Sequence, residues 1–135
     1  MKNHRLLGTL CMGMALTGAV ALWAADLAGK LPPAADKKGL TYEKDIKPIF
    51  TKSCVECHGP EKQKGRVRLD TLEDTLKSAR GKAVIPGKSA ESLLVFSVAR
   101  VTEDPDHHMP PEGKGDPLTK EQVGLIRAWI DQGAK

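Results

Sequence analysis

The stretch that most restricts this chain is "CVECHG", residues 54–59. Two cysteines three residues apart share one side of a helical turn, and a histidine directly follows the second. That spacing lets both thiols add to the two vinyl groups of a porphyrin while the neighbouring imidazole points at its iron. Cys54 and Cys57 are therefore expected as the thioether attachment points of one haem c, and His58 as the proximal iron ligand. The covalent link also answers a shortage. Beyond residue 25 the aromatic residues are Tyr42, Phe50, Phe96 and Trp129 alone, a thin core for about 110 residues that a bound haem would fill.

Other chemistries use parts of the same motif. A redox-active Cys-x-x-Cys pair calls for a βαβ context, and the chain offers no convincing parallel strands. A plain disulfide between Cys54 and Cys57 leaves His58 to chance. A zinc site built from both cysteines and two histidines has acceptable ligand chemistry, but His107 and His108 are adjacent rather than spaced to converge. A haem-free zinc or disulfide binding module is thus the minor alternative.

The N-terminus carries Lys2 and Arg5, then an uncharged run from Leu6 to Ala25, small residues, and Asp26 as the first acid. Residues 1–25 read as a secretory signal peptide, cut after Ala21 or Ala25. The competing reading is an uncleaved membrane anchor, since about 20 apolar residues span a bilayer. Cys11 does not read as a lipid attachment point, because Leu10 stands where a small residue is wanted. Either way the working domain is expected in the periplasm or otherwise exported, with membrane contact only if the segment stays uncleaved. Removing it takes two basic residues and no acid, so the net charge falls from +4 to +2. The sequence pI near 9.0 is then no argument for nucleic acid, and no basic stripe interleaved with aromatics is present. What remains is Cys54, Cys57, Met109, His58, His107 and His108.

Residues 26–40, rich in Pro, Ala, Gly and Lys, read as a flexible leader. From 41 to 135 the pattern is a single all-α domain with long loops. In "TYEKDIKPIFTKSC", Tyr42, Ile46, Ile49, Phe50 and Cys54 follow a helical period, with Pro48 predicting a kink or two short turns. "DTLEDTLKSARG" predicts a short helix capped by Asp70 and stopped by Gly81. Ser89 is expected to cap "AESLLVFSVAR". "LTKEQVGLIRAWIDQGAK" carries a Thr119–Gln122 capping box, a Leu118–Val123 staple and a stop at Gly133.

The loop "DPDHHMPPEGKG", residues 104–115, sets three metal-ligating side chains in a row. Met109 is the one methionine beyond residue 25, lies 51 residues past His58 and precedes two prolines. Prolines stiffen the loop and hold Met109 extended, which lowers the entropy lost in keeping a weak thioether on iron. Alternation along an extended segment turns His108 away and leaves His107 on Met109's side. Met109 is the expected distal ligand, with His107 or His108 as alternates. The basic run Lys62, Lys64, Arg66, Arg68 reads as a solvated face; its sharper reading is a docking patch for an acidic redox partner, or, at Arg68, a counter-charge for a haem propionate.

With those residues in place, the chain from Tyr42 to Ala134 resembles a small class I-type cytochrome c, most closely the planctomycete-type cytochrome c domain. The resemblance rests on "YEKDIKPIF", "CVECHGPEKQKGRVRLDT", "VIPGKSAESLL", "HMPPEGKG" and "LTKEQVGLIRAWIDQGA". It implies a cytochrome c-like fold whose first and last helices cross beside a covalently bound haem, with iron held by His58 and Met109. Arg66 departs from the pattern, standing where a second glycine is expected after Gly65. No acid–base or nucleophilic constellation is visible. The function expected is that of a non-enzymatic, monomeric electron carrier serving redox protein partners. A haem enzyme subunit or gas sensor with an open or displaceable sixth site is the alternative.

Overall fold

The computed structural model describes residues 26–135. The expected signal peptide, its cleavage sites and Cys11 lie outside the described residues. Residues 26–29 are helical (α1). A π-turn over Tyr42–Ile46 leads into α2 (Lys47–Ser53), followed by α3 (Leu72–Gly81), α4 (Leu93–Ala99) and α5 (Lys120–Asp131), with 3-10 turns at Lys64–Arg66, Ser89–Glu91 and Pro105–His107. Among the described residues there is no strand, only an isolated bridge between His58 and Gln63. The domain is all-α with long connections, as its sequence predicts. Among the described residues no helix is long and apolar enough to cross a membrane.

Pro48 produces the expected two pieces. It sits in the first turn of α2, where its missing N–H costs nothing, and the chain before it winds as a π-turn capped by Thr41. The first and last helices meet through aromatic packing. The Tyr42 ring lies 6.0 Å from that of Trp129 and 6.3 Å from that of Phe50. Tyr42, Ile46, Phe50, Ile126, Trp129 and Ile130 are almost wholly excluded from solvent, each contributing about 1.5–3 kcal/mol by burial. The Tyr42 amide and the Trp129 indole both donate to the Lys135 carbonyl, at 2.8 and 3.0 Å. α5 carries both halves of its capping box, with Leu118 and Val123 buried beside it.

Two caps differ from expectation. Thr71, not Asp70, caps α3, accepting from the Asp74 amide; Asp70 is occupied by Arg68. Ser89 does not cap α4. It lies in its own 3-10 turn and donates from its amide and hydroxyl to Asp131, at 2.8 and 2.9 Å. That ties the segment before α4 to the end of α5. The first α4 amides, Leu93 and Leu94, donate to the Lys82 and Ala83 carbonyls, so backbone replaces a side-chain cap.

Within residues 26–40, expected as a flexible leader, residues 31–40 run as a strap along α5. Leu31 and Leu40 are buried. The Ala35 amide donates to the Gly124 carbonyl at 2.9 Å, Arg127 donates to the Pro32 carbonyl, and Gln132 donates to the Lys37 carbonyl at 2.7 Å. A Cβ on Gly124 would lie 2.9 Å from the Pro33 carbonyl oxygen, so a helical glycine makes this approach possible. On the strap's own side these bonds are made by backbone atoms, which leave no periodicity to read.

Candidate cofactor site

The motif is wound as one tight turn at the end of α2. The Cys54 and Val55 amides both donate to the Phe50 carbonyl, at 2.8 and 3.0 Å, and those of Cys57 and His58 both donate to the Cys54 carbonyl, at 3.1 and 2.9 Å. Gly59 permits the turn to close, because a Cβ there would sit 2.4 Å from the Val55 carbonyl oxygen. The returning segment is bonded to it as well: Lys64 donates to Cys57 at 3.2 Å and Leu69 to His58 at 2.7 Å. This places both thiols and the imidazole along one cavity of about 800 Å³, within the range of about 300–1,000 Å³ that ligand sites occupy. Cys54 and Cys57 are both free thiols, and burial pushes the Cys54 thiol up to about 12.

The His58 ring is oriented from behind. Its Nδ1 lies 3.3 Å from the Val67 carbonyl oxygen. A carbonyl only accepts, so Nδ1 carries the proton and Nε2 keeps its lone pair for a metal, the usual arrangement of a ligating histidine.

From α4 and the loop after it, Leu94, Ser97, Val98, Met109 and Pro110 line the same cavity. The Met109 amide donates to the Ser97 carbonyl at 3.0 Å. Arg100, in the left-handed region (φ 55) at the end of α4, donates through Nη1 to the Pro110 carbonyl at 3.0 Å. Pro110 is buried and the Met109–Pro110 peptide is cis.

His107 lines the cavity, exposed and 3.8 Å from Asp104. His108 is turned away, its Nε2 3.0 Å from the Thr102 carbonyl. The two histidines divide as expected, but for a different reason: Pro105–His107 is a 3-10 turn capped by Asp104, not an extended run.

Arg68 does not line the cavity. Its guanidinium grips Asp70 with two bonds of 2.7 and 3.0 Å and approaches Asp74 at 3.3 Å. A propionate counter-charge is better sought at Lys52, Lys64 or Lys114, which do line it. Arg100 and the Ser78 hydroxyl behind Val67 were not foreseeable as site residues, since both act through backbone carbonyls that no spacing marks.

The donor set suits a haem c: two thiols, an oriented imidazole nitrogen and a thioether border one cavity of largely apolar lining. Among the described residues no three His, Cys, Asp or Glu side chains are grouped to hold a metal ion, so the zinc reading gains no ligand set. Searches of curated proteins and of solved structures return no match. The family model described as Planctomycete cytochrome C matches residues 54–113. Over that segment, which contains Cys54, Cys57, His58 and Met109, the chain is similar to the planctomycete cytochrome C family that its motifs resemble.

Proposed function

We propose that this protein is an exported monohaem c-type cytochrome that carries single electrons between redox protein partners, and is not itself an enzyme. The observation that carries the reading is that the Cys-x-x-Cys-His turn and Met109, distant in sequence, border one cavity. A bound haem supplies a reversible one-electron iron couple, and Met/His ligation raises its potential. Cys54 and Cys57 would hold the group covalently, through thioethers made by adding each S–H across a vinyl group. His58 offers Nε2 to the iron with Nδ1–H anchored on Val67. Met109 offers its thioether from a loop fixed at Ser97 and Arg100. Leu69, Leu94 and Val98 supply apolar walls to the site. Export follows from the expected signal peptide, and a monomer suffices because every expected ligand comes from one chain.

His107 on the same cavity favours a second reading, in which the sixth position is displaceable, as in a haem enzyme or gas sensor. Expression with a c-type haem maturation system decides between them. The expected product keeps one haem after denaturation and shows a six-coordinate low-spin spectrum with the long-wavelength sulfur–iron band in the ferric state. A five-coordinate ferrous form that binds carbon monoxide would establish the second reading. Absence of covalent haem would overturn both.

A further inference from the structure

We propose that Ser78 is a positioning residue for His58, acting on the imidazole through the single peptide plane that joins Val67 to Arg68. The inference rests on His58 being an iron ligand. The Val67 carbonyl accepts from His58 Nδ1 at 3.3 Å. The N–H of that same amide, on Arg68, donates to the Ser78 hydroxyl at 2.8 Å. The single hydroxyl proton in turn is shared between the Arg68 and Asp74 carbonyls, both at 2.9 Å. Four groups thus form one directed chain: imidazole N–H, peptide C=O and N–H, hydroxyl, carbonyl. Each bond polarises the next in the same sense, so the hydroxyl makes the Val67 oxygen a stronger acceptor.

Ser78 is placed for this by the fold. It is 3% exposed and sits where α3 leaves helical geometry, with ψ 141 and left-handed residues following at Ala79 and Arg80. A bond of 3.3 Å is long, so its strength depends on how firmly the acceptor is aimed and polarised. A stronger acceptor increases the electron donation of Nε2 and favours ferric iron. Serine suits the position because one small hydroxyl accepts and donates at once. A purely structural role would have a different signature. Loosening the wall admits water, which also favours ferric iron and lowers the potential. Losing polarisation raises it.

The test uses the haem-loaded protein and its Ser78→Ala and Ser78→Thr variants. In Ser78→Ala, exchange of the His58 Nδ1 proton, followed by NMR in the ferrous state, is expected to quicken about tenfold, the effect of one neutral hydrogen bond. The reduction potential is expected to rise with the low-spin spectrum unchanged. Ser78→Thr, which keeps the hydroxyl, should restore both. Unchanged exchange and potential, or a fall in potential, would overturn the proposal. Should Ser78→Ala not fold, the wild type still answers: the Arg68 amide and the His58 Nδ1 proton should be protected together, and a freely exchanging Arg68 amide beside a protected Nδ1 proton sinks the idea. His58 ring protons lacking haem ring-current shifts would instead overturn the ligand assignment itself, and the proposal with it.

Discussion

The His58 side of the cavity and the Met109 side are built on different principles. On the first, both cysteines, the histidine and the glycine fall within residues 54–59, and the turn they form is bonded to itself and to the returning segment at Lys64 and Leu69. Its imidazole is bonded to a further layer, Val67, Arg68 and Ser78. On the second, one thioether stands on a loop held at a few separate points: the Ser97 carbonyl, the Arg100 guanidinium and the buried ring of Pro110. Attachment and orientation are thus concentrated on one side and adjustability on the other. The proposed carrier would benefit from that division, because the strong side would fix the group and the weak side would set how tightly the reduced state is favoured.

The largest effect should come from removing the covalent side. Cys54→Ser with Cys57→Ser is expected to abolish haem that survives denaturation, read by haem staining of a denaturing gel. Retention of stainable haem would show that attachment lies elsewhere. Next comes Met109→Ala. Covalent haem should remain at one per chain, while the sulfur–iron band vanishes and added imidazole binds readily. If haem content falls as far as in the cysteine variant, the two sides are not separable and the comparison fails. A smaller change is expected for Arg100→Ala, which deletes the bond to the Pro110 carbonyl but no ligand. Hydrogen bonds to charged groups contribute about 1.5–3 kcal/mol, so imidazole should displace Met109 at roughly tenfold lower concentration, while haem staining stays unchanged.

How much of this was readable in advance follows the same division. The His58 side is local in sequence, so spacing alone exposes its chemistry. Met109 could be singled out by elimination and by its prolines, but Arg100 could not: its role depends on a left-handed residue at a helix end meeting a loop ten residues on. The capping box of α5 was legible because it is a four-residue pattern. The Ser89–Asp131 tie, spanning 42 residues, and the strap over Gly124 are tertiary contacts between residues far apart in sequence. They carry no periodic signature, and the proline-rich strap mimics a linker.

A pH experiment probes the outer layer of the His58 side. The Arg68 guanidinium beside Asp70 holds its carboxyl below the usual carboxylate range. The stabilisation is therefore present above the unfolded value, near about 4, and is lost as pH falls through the lower folded value. Asp70→Asn should reduce stability by about 1 kcal/mol at pH 7, the net worth of a typical intramolecular hydrogen bond. It should also flatten the acid limb of a stability-versus-pH curve. An acid limb of unchanged slope would mean that the pair contributes nothing.

The smallest effect tests whether the His58 side is strained where its sequence departs from the family pattern. Gly65 and Arg66 both occupy the left-handed region, at φ 65 and φ 60. Glycine adopts that conformation freely, whereas a side chain there costs about 1–2 kcal/mol. Arg66→Gly would remove this cost but also loosen the unfolded chain, which opposes it by about 0.4–1 kcal/mol. The first effect exceeds the second, so the variant should be more stable by roughly 0.5–1 kcal/mol, a rise of about 4 °C in Tm for a domain of this size. Because Arg66 is exposed and precedes Val67 without bonding to His58, the reduction potential should not move. A lower Tm would show that the Arg66 side chain stabilises the loop more than its backbone strains it. A shifted potential would show that the loop's geometry reaches the His58 bond, making the His58 side less rigid than its bonding implies.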